Sequence, residues 1–378
     1  MTASPHSTRT AFLIPTHNGA QTITTTIASA LAQADVFVVD DGSIDSTSDA
    51  ATEAGAHVLQ LAHNVGKANA IREALDQHWP ECANNRLSDR YDYVAILDDD
   101  VVLDEMWLIH TERNMTDERV AAVEGYSVSF WPKSLKWNGW VAARAMTTWR
   151  LQRVHTPLQI ATGSKQWLIG AHVLYRASVL DQVARSGVAF AVEDMDYLWQ
   201  IKRSNLGSVK FERKACALWQ QATSFRDIYH QHLRWTLGYW QTIRFHRAGL
   251  GVGKHDRMCA LNLVDMAFHL AWPGIFMVML MFSTHREVLA LGLLAIYATQ
   301  GLGTAWVLRR WQCLVLWPYL IVLDLVYRIL VMQGFVAAIR TPFSRGNWVS
   351  PERVTTPTDR PIDGVLAMQG HNKKHFHH

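Results

Sequence analysis

The sequence predicts an α/β fold: a mostly parallel sheet with helices on both faces, followed by a helical membrane region. Three observations predict it. Residues 1–130 alternate short apolar strand signals with helical stripes, the pattern of a sheet covered on both faces. The acidic clusters Asp40-Asp41 and Asp98-Asp99-Asp100 stand at the ends of two of those strand signals, where open parallel sheets place their ligands. From residue 258 onward the composition changes to long apolar runs.

The elements follow in order. TAFLIP (10–15) reads as a short apolar strand. AQTITTTIASALAQA then carries Ile23, Ile27 and Leu31 at i, i+4 and i+8, a helical stripe. DVFVVDDGS (35–43) is the next strand, and STSDAATEAGA a helix with a Gly stop. HVLQLA is a third strand, and NVGKANAIREALDQHW a helix whose leading Asn is placed to cap it. YVAILDDD is the fourth strand. Residues 134–155, beginning SLKWNGWVAARAMTTWRLQRV, and residues 225–247, FRDIYHQHLRWTLGYWQTIRFHR, are basic and rich in Trp. Both read as amphipathic helices on a membrane surface, Trp inward and Arg toward the phosphates, with a core-facing helix as the alternative.

The runs 258–282, 288–308 and 313–339 each exceed the roughly 20 residues that a bilayer core requires. The linker STHRE makes the first two a hairpin, and Arg309 and Arg310 favour a cytoplasmic loop before the third. Asp324 and Arg328, four apart, are spaced to pair on one helix face or to meet other helices. The start, MTASPHSTRT, lacks an apolar signal core, which places the N-terminal part in the cytoplasm. The net charge of +3 gives no strong field for nucleic acid. Cys82, Cys216, Cys259 and Cys313 are too scattered for a disulfide framework or a zinc site. HNVGK lacks the Walker spacing, and neither a GxGxxG nor an HExxH motif is present.

Three adjacent carboxylates repel, and each favours protonation of its neighbours. Asp98-x-Asp100 can hold a hard cation such as Mg²⁺, which takes one or two protein carboxylates plus phosphate oxygens and water; an acidic loop cap is the plainer reading. In AVEDMDYLWQIKRSN (191–205), Glu193, Asp194 and Asp196 open a helix, either as dipole partners or to supply a general base. Gln231, Arg234 and Trp235 fall on one side of a helix, where Arg can grip phosphate and Trp offers a flat platform.

In this order, IPTHNG, VVDDGSIDST, NVGKANAIREAL, LDDDV, VEDMDY and QHLRW, followed by apolar spans, resemble the membrane-bound family 2 glycosyltransferases. That group includes hyaluronan, chitin-oligosaccharide and cellulose synthases and ceramide glucosyltransferase. The resemblance covers roughly residues 10–308. It implies a GT-A fold, a nucleotide-sugar donor, Mg²⁺ or Mn²⁺, and inversion at the anomeric carbon. By position it implies that Asp40 or Asp41 binds the base, usually uracil, with Thr16 and Asn18 nearby and Lys67 close to the nucleotide. Asp98 and Asp100 become the DxD motif on the metal-bound diphosphate, with Asp99 among the donor-binding residues. Asp194, beside Glu193, becomes the general base, and Gly170 of LIGAHVLYR lines the acceptor site. Gln231, Arg234 and Trp235 would embrace the diphosphate and the acceptor sugar.

The implied domains are 1–130 for the donor half, 131–257 for the acceptor half with interface helices, 258–339 for about three spans, and 340–378 for a membrane-proximal segment and tail. RGNWVSPER (345–353) resembles a segment that follows the spans in some relatives. His17 and Gly19 depart from the Tyr and Glu of several relatives, so the donor pocket differs in shape. The expected protein is a multi-pass enzyme of a bacterial-type plasma membrane, its catalytic domain cytoplasmic, acting on a lipid, glycan or protein acceptor. The alternatives are a processive synthase with its pore completed by homo-oligomerisation, a catalytically dead relative that scaffolds, and a sugar nucleotidyltransferase.

Overall fold

A computed structural model describes residues 9–186 and 192–341. RGNWVSPER and the His-rich end lie outside the described residues. The chain divides into two units. The first holds the residues up to Val128 together with Lys165–Gln220; the second holds Ser129–Ser164 and residues 221–341.

The first unit is built on one sheet. Its strands are β1 (Thr10–Thr16), β2 (Asp35–Asp40), β3 (His57–Gln60), β4 (Tyr93–Leu97), β5 (Val101–Leu103), β6 (Val120–Phe130), β7 (His172–Arg176) and β8 (Ser208–Gln220), in the spatial order β3-β2-β1-β4-β7-β6-β8-β5. The first four pair in parallel, as the strand–helix alternation predicts. β7 pairs antiparallel with both β4 and β6. It begins with His172 opposite Leu97, at the carboxyl end of the parallel strands, and so must run back against them. This gives the mixed, mostly parallel α/β sheet of a GT-A fold.

The strand period sorts the core. Ala11 and Leu13 of β1 face one way with Phe37, Val39, Ile71 and Leu75. Phe12 and Ile14 face the other way with Val36, Val38, Ile23, Ile27 and Trp107. Both faces are buried, so the strands read as continuous apolar runs. The helix Ile23–Leu31 buries Ile23 and Ile27, while Leu31 ends the stripe 38% exposed. The helix expected from NVGKANAIREAL starts at Lys67, with Gly66 rather than Asn64 at its cap. The cause is upstream: the Asp41 carboxylate takes the Val65 and Gly66 N–H groups, at 2.7 and 2.9 Å. Gly66 holds φ +86°, a conformation open to Gly at little steric cost.

The second unit is helical. Gly139–Arg150 and Phe225–His246 form the two Trp-rich helices. Lys254–Phe282, Arg286–Leu308 and Pro318–Arg340 are each long and apolar enough to cross a membrane. The third expected run divides into a short helix, Cys313–Leu316, and Pro318–Arg340, because a Pro lacks the N–H that would continue a helix and sits best in a first turn. Asp324 does not pair with Arg328. It accepts from Tyr297 Oη at 2.9 Å and pairs with Arg150 at 3.5 Å. Arg144 departs from the surface-helix reading, being only 4% exposed.

Candidate active site

The site of the first unit gathers at the carboxyl ends of β1, β2 and β4. There the adjacent carboxylates Asp98 and Asp99 turn to different partners. Asp98 leaves the end of β4 and accepts from Lys67 Nζ at 2.7 Å. Asp99 turns inward, 1% exposed, and accepts from Thr16 Oγ1 at 2.6 Å. Its carbonyl accepts from Thr26 Oγ1 at 3.0 Å. Asp100 stays half-buried in the turn between β4 and β5. Separation of this kind relieves the like-charge repulsion that a shared direction would impose.

Asp40 and Asp41 are both buried at the end of β2. Asp40 accepts from Ser43 N–H at 2.9 Å and from Ser48 Oγ. Asp41 clamps the turn before Lys67, as above. Burial pushes the Asp41 carboxyl up, the Val65 and Gly66 N–H groups and His17 oppose this, and Asp40 adds to the rise. Asn18 joins the loop after β1 to the loop after β2. Its N–H donates to Ser43 Oγ at 2.8 Å, and its Oδ1 accepts from Ile44 N–H at 3.0 Å.

Lys67 ties the strand end to the helix Glu193–Arg203. Its Nζ lies 2.7 Å from Asp98 Oδ1 and 2.6 Å from Glu193 Oε1. Burial alone would lower the ammonium pKa, but the two carboxylates outweigh it and the net shift is upward.

Asp194 is held by two backbone donors, Gly170 N–H to Oδ2 at 2.8 Å and Met195 N–H to Oδ1 at 2.7 Å. Burial, and next the charge of Glu193, push its carboxyl up to about 7, against the lowering by Lys67 and the two N–H groups. A carboxylate poised near neutrality is suited to take a proton. Gly170 is required by close approach: a Cβ there would stand 2.5 Å from Asp194 Oδ2 and 2.7 Å from Asp194 Cβ.

Three residues missed by the sequence reading support this arrangement. Glu124 of β6 is fully buried and pairs with Lys165 at 2.8 Å. Burial pushes this carboxyl up and Lys165 opposes the rise, so the pair anchors the start of the segment that delivers Gly170. The available signal was a lone carboxylate inside the apolar run VAAVEGYSV. His172 accepts from Trp107 Nε1 at Nδ1, at 3.1 Å. Burial lowers its pKa to about 4, so the neutral ring carries its proton on Nε2 and donates to Ser127 Oγ at 2.8 Å.

Gln231, Arg234 and Trp235 belong to the second unit, on the helix Phe225–His246. There Trp235 meets the His232 ring edge-on at 4.7 Å between centroids, and Gln231 Oε1 is buried.

Part of the first unit is similar to known proteins. Residues 11–183 match the family model described as Glycosyl transferase family 2. The glycosyltransferase AglJ of Haloferax volcanii is 43% identical over 68 residues, which cover 18% of this chain and 22% of that protein. The match therefore spans less than a quarter of that relative. Among solved structures, glucosyl-3-phosphoglycerate synthase from Mycobacterium tuberculosis with Mn²⁺, UDP and phosphoglyceric acid is 16% identical, covering 64% of this chain and 78% of that one at a TM-score of 0.42. The same synthase with Mg²⁺ and UDP is also 16% identical, covering 64% and 79% at a TM-score of 0.40. The strand order and the acidic strand ends lie within the residues, 11–183, that are similar to the Glycosyl transferase family 2 model.

Proposed function

We propose that the protein is a membrane-bound inverting glycosyltransferase. It moves a sugar from a nucleotide-sugar, a UDP-sugar on the resemblance, to a membrane-associated acceptor: a lipid, a glycolipid or a protein. The observation that carries this reading is Asp194. Its carboxylate is held by two N–H groups, raised to about 7, and linked through Glu193 and Lys67 to Asp98. The three long apolar helices support the membrane location.

In this reading Asp194 takes the proton of an acceptor hydroxyl as the hydroxyl oxygen attacks the anomeric carbon and the bond to the diphosphate breaks. One displacement inverts the centre, so an α-linked donor gives a β product. Gly170 and Met195 N–H groups hold the carboxylate in one orientation, which preserves the alignment on which such catalysis depends. Thr16 and Asp99 brace the strand ends beneath the donor. Arg234 is assigned to the leaving diphosphate, and Gln231 and Trp235 to diphosphate and acceptor sugar, on the resemblance of QHLRW.

The residues that would hold Mg²⁺ or Mn²⁺ are Asp98 and Asp100. Among the described residues no group of three or more His, Cys, Asp or Glu gathers to hold a metal. Two carboxylates fit a hard cation that completes its shell with diphosphate oxygens and water. When bound, such a cation neutralises charge on the diphosphate.

The test uses purified protein in lipid nanodiscs with Mg²⁺ or Mn²⁺. UDP-, GDP- and dTDP-sugars are screened for release of nucleoside diphosphate, and the products are weighed. One mass increment on a lipid or protein supports limited transfer, a ladder supports the processive alternative, and no release from any donor sinks the reading. In the same assay, excess chelator should stop transfer and added Mg²⁺ or Mn²⁺ restore it; full activity with chelator would remove the role given to Asp98 and Asp100. Gly170→Ala should lower turnover by about 10²-fold, the cost of a misplaced catalytic group, with UDP affinity little changed. Wild-type turnover in that variant would show that the close approach to Asp194 is not used.

A further inference from the structure

Within the helical unit, Arg144 of the helix Gly139–Arg150 is buried without an acidic partner. Its Nε donates to Gln221 Oε1 at 3.0 Å, and its Nη1 to His232 Nε2 at 3.0 Å and Tyr327 Oη at 2.9 Å. The guanidinium carbon lies 5.2 Å from the centroid of the Trp235 ring. Every one of these partners is neutral. Burial, and then the charge of Arg144 itself, push the His232 imidazole well below its ordinary range. With Nε2 accepting from Arg144, its proton sits on Nδ1, which donates to the Ile228 carbonyl at 3.2 Å.

Arg150 of the same helix shows the contrast. It pairs with Asp324 at 3.5 Å and bonds Gln300 Oε1 at 3.3 Å. Asp324 lies three residues before Tyr327, but Arg150 and Tyr297 occupy it. No carboxylate pairs with Arg144 among the described residues, and its Nη2 donates to none of them. A guanidinium stays charged at any working pH, and a buried charge without a counter-charge is costly. Its nearest neighbours are aromatic. Trp140, one turn before it, packs on Phe225 at 5.3 Å and Tyr319 at 5.2 Å. Tyr319 and Tyr327 both lie on Pro318–Arg340, which is long and apolar enough to cross a membrane.

We propose that Arg144 receives the phosphoryl headgroup of a membrane amphiphile. The inference rests on the membrane-acceptor reading above and deepens it: the acceptor class becomes a lipid phosphate. With the Nε hydrogen and both Nη1 hydrogens taken, Nη2 is the charged donor left for a phosphate oxygen. Gln221, His232 and Tyr327 hold that group in place while contributing no opposing charge. Trp235, assigned to the acceptor sugar, lies against the same guanidinium.

The experiment measures binding without any sugar donor, so it stands apart from turnover. The full chain is placed in phosphatidylcholine nanodiscs doped with hexadecyl phosphate or hexadecanol, and retention is read by native mass spectrometry. The wild type should prefer the phosphate by about tenfold or more, the scale of one charge-assisted contact. Arg144→Gln should lose that preference while its UDP affinity stays within about twofold, since one lost phosphate contact acts on the lipid alone. The proposal is overturned if the wild type shows no preference, if Arg144→Gln keeps it, or if UDP affinity falls in step, which would assign the guanidinium to the nucleotide. Should Arg144→Gln not fold, a photoreactive alkyl phosphate on the wild type decides. Crosslinks should map to Gly139–Arg150 or Phe225–His246, and crosslinks confined elsewhere overturn the proposal. Absence of nucleoside diphosphate release, with retention intact, would remove the transferase reading and leave the lipid site standing.

Discussion

Asp194→Asn should lower sugar transfer by about 10²–10⁴-fold, the usual contribution of a positioned general base, while leaving donor binding nearly intact. Asn matches the shape of Asp, but its single oxygen can accept from only one of the Gly170 and Met195 N–H groups, and it cannot take a proton. The wild-type profile of kcat/KM against pH should rise through an acid limb near the Asp194 value of about 7. That limb should be missing from the residual activity of the variant. The sign follows from the cause. Burial, followed by the Glu193 charge, holds the proton on Asp194 more tightly than in a free carboxyl. The base is therefore unavailable at low pH and available once the pH passes about 7. The linked effect on stability runs the other way: this group favours the folded state below the free-carboxyl range and loses that contribution as pH rises toward 7. Near-normal turnover by Asp194→Asn would end the assignment.

Lys165→Met should be the most destabilising single change in the first unit, costing about 3–5 kcal/mol, the range for breaking a buried ion pair from one side. It leaves Glu124 buried with no cation; burial already raises that carboxyl against the pull of Lys165. Because Lys165 stands at the start of the segment that carries Gly170, the loss should loosen that segment, and turnover should fall along with the thermal midpoint. The double variant Glu124→Leu/Lys165→Met should recover much of the midpoint, since an apolar pair of similar volume is tolerated in such a place. It should recover less of the turnover, because the ion pair that anchored the segment is gone. An unchanged melting curve for Lys165→Met would show that the pair is not a determinant of the fold.

These two predictions mark what could and could not be read along the chain. The strand and helix alternation of residues 10–97 was legible because each strand is a continuous apolar run and each helix a periodic stripe. The clustering of Asp40, Asp41 and Asp98 at strand ends followed from the rule that parallel strands share one carboxyl edge. The individual fates of the three carboxylates were not legible. Neighbouring positions in a turn point apart, and only the packed structure separates Asp98, on Lys67, from Asp99, on Thr16. The bridge from Lys67 to Glu193 and the pair of Glu124 with Lys165 join segments far apart in sequence, for which local pattern carries no signal.

The sequence by itself determined the class of the molecule: a mostly parallel sheet with acidic strand ends, followed by three helices long enough for a bilayer. Composition and periodicity suffice for that, because they set which faces must leave water. Only the tertiary structure decided the state of particular charges. Asp194 is raised by its burial and by the charge of Glu193, and Arg144 is buried because Gln221, His232 and Tyr327 converge on it from three other parts of the chain. A charge takes its character from the dielectric and the partners around it, and those are supplied by residues that sequence order keeps apart.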